Sequence, residues 1–250
     1  MGLTLKPAPV VFEEVRHTYT LLSTGKLVPG VTSITKNLDK PWLVSWAAKE
    51  TVTYLEPRLE EIQACTTKKQ YLEILKAAKN AHRRKAATAR DHGTLAHNWI
   101  EVYIGEKLGL NVPKYPELTP EAESAVMAFR EWEWERQITW LASELVVGSE
   151  THEYGGKLDA LAEIGGAVTL VDWKTSNQIS DEYFLQTAGY QIAVEEMGGR
   201  VDERLILRID KRTGAFEAKA VPTPVDLDKS TFLALRQVSR WQSYVGQVAA

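Results

Sequence analysis

The chain has 250 residues, 44% hydrophobic and 25% charged, the make-up of a folded domain with room for an appended subdomain rather than of a fibrous or disordered chain. A formal net charge of -3 excludes a histone-like coat for nucleic acid, so any anion-binding surface must be a local patch. The single cysteine, Cys65, excludes an internal disulfide framework and any four-cysteine zinc or iron–sulfur site, and with no signal-like start and no long apolar run the expected setting is the cytoplasm, off the membrane.

In chain order, residues 10–35 read as a short hairpin closed by a Ser23-Thr-Gly-Lys turn, followed by Thr32 or Ser33 as a helix cap. From Trp42 to about Lys107 apolar residues recur at three- and four-residue spacing, which predicts helix, divided near Pro57. Thr119-Pro-Glu opens a further helix running to about Arg136. The period then changes. Runs 141–147, 157–164 and 167–174 are rich in β-formers and separated by glycine, so three antiparallel strands are expected. A helix over 182–197, a strand over 204–210, a Lys211-Arg-Thr-Gly turn, a strand over 215–221 and a last helix over 226–245 complete the chain. The class is α/β with α+β character, with an α-β-β-β-α-β order in the second half.

If Gly165-Gly166 is a two-residue hairpin loop, Ile164 faces Ala167, and counting back along both strands brings Asp159 opposite Asp172. Side chains alternate between faces, so Lys174 shares the face of the two aspartates. Carboxylates opposed at about 4.5–5.5 Å repel unless a positive charge lies between them. Paired hard oxygen donors suit Mg²⁺ or Mn²⁺, and such a site activates a water against a phosphate, with Lys174 neutralising charge in the transition state. An Asp-x-Lys tripeptide alone is common in charged surfaces; the register is what makes this one informative.

The runs Gly155-Gly-Lys-Leu-Asp-Ala, Leu170-Val-Asp-Trp-Lys-Thr-Ser and Gln186-Thr-Ala-Gly-Tyr190, preceded by Pro29-Gly-Val-Thr-Ser and His92-Gly-Thr-Leu-Ala-His97, resemble the RecB-type branch of the PD-(D/E)XK nucleases, in the cluster-free group of the mitochondrial genome maintenance exonuclease and its phage relatives. The resemblance runs from about residue 17 to 245. It implies a restriction-endonuclease-like core, with His97, Asp159, Asp172 and the main-chain carbonyl of Trp173 as ligands of Mg²⁺ or Mn²⁺, Lys174 as the catalytic lysine, and Gln186 and Tyr190 completing the site. Gln186 and Tyr190 stand four residues apart, so one helix face carries both. Glu144 and Glu101 are weaker candidates for outer acids. The implied activity is a single-strand DNA exonuclease. A non-catalytic DNA-binding protein of the same fold and a structure-selective endonuclease are the alternatives.

Lys76, Lys79, Arg83, Arg84 and Arg90 form an acid-free basic run leading toward His97, and with Lys157 they are the expected contacts for DNA phosphates. Some tryptophans, among them Trp42, Trp46, Trp99, Trp132, Trp134 and Trp140, are candidates for stacking on unpaired bases, although most fit a core better. The expected organisation is residues 1–118 as hairpin and helices packed on a nuclease core of 119–250. A recombinase or single-strand-binding protein would be a separate chain.

Overall fold

The computed structural model describes residues 4–176, 178–210 and 216–248, with side chains at 86–93 and 247–248 outside the described set. The predicted Lys211-Arg-Thr-Gly turn, Arg90 and the His92-Gly start of the histidine motif therefore lie outside the described residues. The chain divides into two compact units, Met1–Leu38 with Gly93–Ala250, and Asp39–His92.

The first unit opens with β1 (Val10–Glu13), β2 (Thr18–Leu21) and β3 (Leu27–Val28), an antiparallel three-stranded sheet where two strands were expected. Helix α1 (Val31–Thr35) follows at once. Its N-cap is Gly30 rather than Thr32 or Ser33, because Pro29-Gly30 runs alongside Gly155: the Gly155 N–H donates to the Pro29 carbonyl at 3.1 Å, and the Gly30 carbonyl receives the N–H groups of Ser33 and Ile34.

The second unit is built from α2 (Trp42–Leu55), a 3₁₀ turn at Glu56–Arg58, α3 (Leu59–Gln63), α4 (Lys68–Lys79) and the start of α5 (Ala81–Lys107). Helix α4 begins at a capping box, Thr67 accepting from the Gln70 N–H while the Gln70 side chain takes the Thr67 N–H. It stops at Asn80, whose side chain donates to the Lys76 carbonyl, so the basic run is split over two helices instead of riding on one.

The core of the first unit is a five-stranded sheet in the order β4-β5-β6-β7-β8, formed by β4 (Thr139–Ser149), β5 (Tyr154–Ile164), β6 (Ala167–Thr175), β7 (Glu203–Ile209) and β8 (Phe216–Ala220). The pairs are antiparallel except β6 with β7, which are parallel and therefore need a crossover. Helix α7 (Asp181–Glu196) supplies it. Every residue from Phe184 to Val194 is buried, because one side of α7 lies on the sheet and the other is covered by α1 and α8 (Val225–Val248). Gly189 lets Phe232 of α8 lie close against α7, since an added Cβ would meet that ring at 2.6 Å. Tyr154 donates to the Gly189 carbonyl at 2.7 Å and so ties β5 to the same turn of α7.

The opposite sheet face packs on the C-terminal part of α5 and on α6 (Pro120–Arg136), where Ile100, Ile104, Phe129 and Trp132 meet Trp140, Val171, Trp173 and Leu207. Thr119 caps α6 and Pro120 occupies its first turn, as expected. Within this apolar layer Glu133 is buried and accepts from Tyr103 at 2.7 Å, Lys107 at 2.6 Å and Trp140 Nε1 at 2.6 Å. Glu133→Ala leaves the buried Trp140 N–H without its acceptor and removes the partner of Tyr103 and Lys107, and is expected to cost about 1–3 kcal/mol. Urea unfolding should show a lower midpoint at unchanged slope; a loss below about 0.5 kcal/mol would rule out a structural role for the network.

Candidate active site

Gly165 and Gly166 have φ of 59° and 86°, the left-handed pair that a two-residue turn requires, and the β5–β6 register runs Ile164↔Ala167 to Ala160↔Val171 as the hairpin reading expects. The ladder stops one pair short of Asp159 and Asp172. The Asp159 carboxylate instead takes the Trp173 N–H at 3.0 Å. On the other edge of β5 the pairing with β4 passes from Ser143↔Ala160 to Leu145↔Leu158, and the omitted Glu144 has φ 49°. Asp159 thus sits where both neighbouring ladders are interrupted. A non-glycine residue in the left-handed region inside a strand is strained, and here the strain coincides with the cluster of acids.

Around this break the structure assembles most of the residues singled out by the motifs. His97 Nε2, from α5, lies 3.4 Å from Asp159 Oδ1 and 3.7 Å from Glu144 Oε1. Lys157 pairs with Glu144 at 2.7 Å, so its charge is engaged within the site. Gln186 donates to the Tyr190 hydroxyl at 3.0 Å, both side chains buried on α7. A cleft of about 360 Å³ is lined by His97, Glu101, Glu144, Lys157, Asp159, Gln186 and Tyr190, with Gly30 to Ser33 along its rim. Asp172 and Lys174 do not line it. Asp172 is fully buried, and the Lys174 ammonium lies 2.8 Å from its Oδ1, to which it donates, and 2.7 Å from its Oδ2. The Trp173 ring between them faces away into the core, its centroid 5.9 Å from that of His97 and 6.1 Å from that of Phe129.

The electrostatics follow from that crowding. Burial and the Asp159 charge push the Asp172 carboxyl up to about 7 against the pull of Lys174. Burial, together with Asp159, raises Glu144 to about 7 as well. Asp159 moves the other way: burial opposes ionisation, but Lys174, His97 and the Trp173 N–H outweigh it and hold the carboxyl below the usual range. For Lys174, burial is overcome by Asp172 and Asp159, so the ammonium stays charged well above ordinary lysine. His97 is likewise raised, burial being outweighed by Asp159 and Glu144. Glu144 Oε1 accepts no hydrogen bond among the described residues, and Asp172 Oδ2 faces only the Lys174 ammonium, at 2.7 Å. Ligand atoms of His97, Glu101 and Glu144 all lie within 4.8 Å of one another. Hard oxygens in excess of donors, with one imidazole, fit a divalent cation.

The chain matches the family model of the PD-(D/E)XK nuclease superfamily over residues 57–249. The chain belongs to the PD-(D/E)XK nuclease superfamily. Nucleases of this superfamily use divalent metal ions, in keeping with the donor set. Among solved structures, the chain is similar to an alkaline exonuclease from Laribacter hongkongensis, at 15% identity and a TM-score of 0.33 over 62% of this chain and 93% of that one. It is also similar to a protein assigned as an exonuclease from Eubacterium rectale, at 16% identity and a TM-score of 0.40 over 60% of this chain and 65% of that one. Comparison with curated proteins gives no match.

Glu144 is the residue of this cleft that the sequence marks least. It stands in a strand of ordinary β-formers, and the sole signal is a lone acid in Leu141-Ala-Ser-Glu-Leu-Val-Val. Among the expected DNA contacts, Lys76, Lys79 and Arg83 are exposed on the second unit. Arg84 folds back to the Ala77 carbonyl at 2.8 Å and over the Tyr54 ring, and Lys85 pairs with Glu50. Trp132, Trp140 and Trp173 are core residues, whereas Trp42, Trp134 and Trp241 are exposed. No helix among the described residues is long and apolar enough to cross a membrane.

Gly156 explains part of the glycine motif. A Cβ there would meet the Tyr190 ring at 2.7 Å and Val31 at 3.0 Å, so only glycine lets Tyr190 lie against β5. Gly156→Ala is expected to cost about 1–3 kcal/mol by overpacking and, by displacing Tyr190, to slow nucleic-acid cleavage at least about tenfold. Parallel melting curves and initial rates test both; wild-type values would remove Tyr190's placement from the requirements of the site.

Proposed function

We propose that the protein is a Mg²⁺- or Mn²⁺-dependent deoxyribonuclease that degrades single-stranded DNA from an end. The observation that carries this reading is the buried Lys174 ammonium paired with Asp172 and acting on Asp159, which with His97 and Glu144 lines the adjoining cleft. His97, Asp159, Asp172 and the Trp173 carbonyl would hold the cation, with Glu144 alongside. When bound, a divalent cation supplies charge neutralisation to a phosphodiester and eases ionisation of an attacking water. The chain's own groups do the rest. Lys174 stays protonated across the working range, so it is a fixed positive charge for the phosphate oxygens and not a general base. The Gln186 amide and the Tyr190 hydroxyl, already joined by a hydrogen bond, orient the strand or the water at the cleft wall. The preference for single strands and ends is drawn from the likeness of the motifs to the RecB-type exonucleases.

The test is digestion of end-labelled single-stranded DNA with Mg²⁺, with Mn²⁺ and with chelator, beside closed circular single-stranded DNA and an RNA of equal length. Stepwise shortening of the linear DNA with metal, and intact circles, are the expected results. Undiminished cleavage in chelator would defeat the metal assignment, and nicking of circles at the linear rate would defeat the exonuclease one.

A further inference from the structure

A second cleft of about 330 Å³ lies between β3 and α8, lined by Lys26 to Pro29 on one side and by Arg236, Arg240, Ser243 and Tyr244 on the other. Its walls carry three cations, Lys26, Arg236 and Arg240, with Glu153 beside them. Glu153 takes both of its oxygens to the Lys26 ammonium at 2.9 Å, and Arg236 donates to the His152 and Glu153 carbonyls with its guanidinium 3.7 Å from the Glu153 carboxylate. Arg236 is thereby buried and fixed as part of the wall. Arg240 is different. It is exposed, and among the described residues neither it nor the Tyr244 hydroxyl has a hydrogen-bonded or ion-paired partner. The surplus of positive charge is felt locally, since Lys26, Arg240 and Arg236 together hold the Glu153 carboxyl below its usual range. In a chain of net charge -3, such a surplus at a concave surface selects an anion.

The position says which anion. Pro29 lines this cleft and the next residue, Gly30, lines the catalytic one, so a single short segment forms a wall of both. We propose that the cleft between β3 and α8 is a second binding site for a nucleic-acid strand, in which Arg240 grips a backbone phosphate and Tyr244 supports the neighbouring nucleotide. A guanidinium fork matches two phosphate oxygens, and an exposed aromatic beside it suits an unpaired base. This rests on the nuclease reading and extends it: the strand is held at a point outside the reacting one.

The experiment measures binding of a fluorescent 20-nucleotide single strand to the full chain in chelator across a salt series, and metal-dependent cleavage of the same strand and of bis-p-nitrophenyl phosphate, for wild type and Arg240→Glu. The variant is expected to bind roughly tenfold more weakly, to lose about one from the slope of log affinity against log salt, and to show a raised KM on the strand. Its rate on the small phosphodiester should be unchanged. Wild type that cleaves the strand while Arg240→Glu matches it in affinity, slope and KM overturns the second site alone. Inorganic phosphate that raises the melting temperature of wild type but not of the variant, at equal strand affinity, also overturns it by making the cleft a site for the free ion. Wild type that neither binds nor cuts the strand overturns the nuclease reading and this extension together.

Discussion

Lys174→Ala is expected to lower the cleavage rate at least about 10³-fold with a far smaller change in KM, because the lost charge acts on the transition state more than on the bound strand. The side chain is largely buried against Asp172, in a setting where one fixed charge is worth more than in water. Lys174→Arg should not restore the rate, since a planar fork cannot take the place of a compact ammonium wedged against one carboxylate. Deprotonation of Lys174 should leave no limb in the pH–rate profile between about 6 and 9, because Asp172 and Asp159 hold its pKa far above that window. The same change leaves the buried Asp172 without its cation, so the variant's melting curve has to be recorded beside its activity. A folded Lys174→Ala protein within tenfold of the wild-type rate would take Lys174 out of the chemistry.

Divalent metal should stabilise the fold strongly and in a pH-dependent way. At a hundredfold excess over Kd, Mn²⁺ or Mg²⁺ contributes about 2.7 kcal/mol, which for a chain of this size is about 5–10 °C in melting temperature. The direction with pH follows from Asp172 and Glu144, both raised to about 7 by burial and by Asp159. A carboxyl whose pKa is higher folded than unfolded contributes its stability in full below the unfolded value, near 4, and loses it as pH rises through the folded one. In chelator the melting temperature should therefore fall between pH 5 and 8, and Asp172→Asn should flatten that fall. Metal requires the same carboxyls ionised, so the increment due to Mn²⁺ should grow over that interval. Asp159→Asn and Asp172→Asn should each abolish the increment. A wild-type melting temperature indifferent to Mn²⁺ at pH 8 would mean that these acids hold no cation.

Much of this arrangement can be read from local chemistry. The Gly165-Gly166 turn, the Thr119-Pro120 helix start and the change of period after Arg136 are dictated by residues within a few positions of one another, and the strands and helices follow them to within a few residues. What escapes the sequence depends on distant partners. The break at Asn80 has neither proline nor glycine to announce it, and is sealed by an amide reaching back one turn. The parallel pairing of β6 with β7 depends on where α7 lands. The start of α1 at Val31 depends on Gly155, more than a hundred residues away. In the site, motif spacing brings His97, Asp159, Lys174, Gln186 and Tyr190 into view, but Glu144 is recruited by a left-handed backbone turn that only the surrounding sheet can impose.

The two-glycine turn joining β5 to β6 has a consequence for how this chain can vary in length. It lies about six residues, roughly 20 Å, from Asp172 along the strand. Yet inserting one residue there would slide β6 by half a pleat, carrying Asp172 and Lys174 through to the tryptophan-lined layer and delivering Trp173 to the acids. This loop is held to two residues by chemistry at the far end of the ribbon.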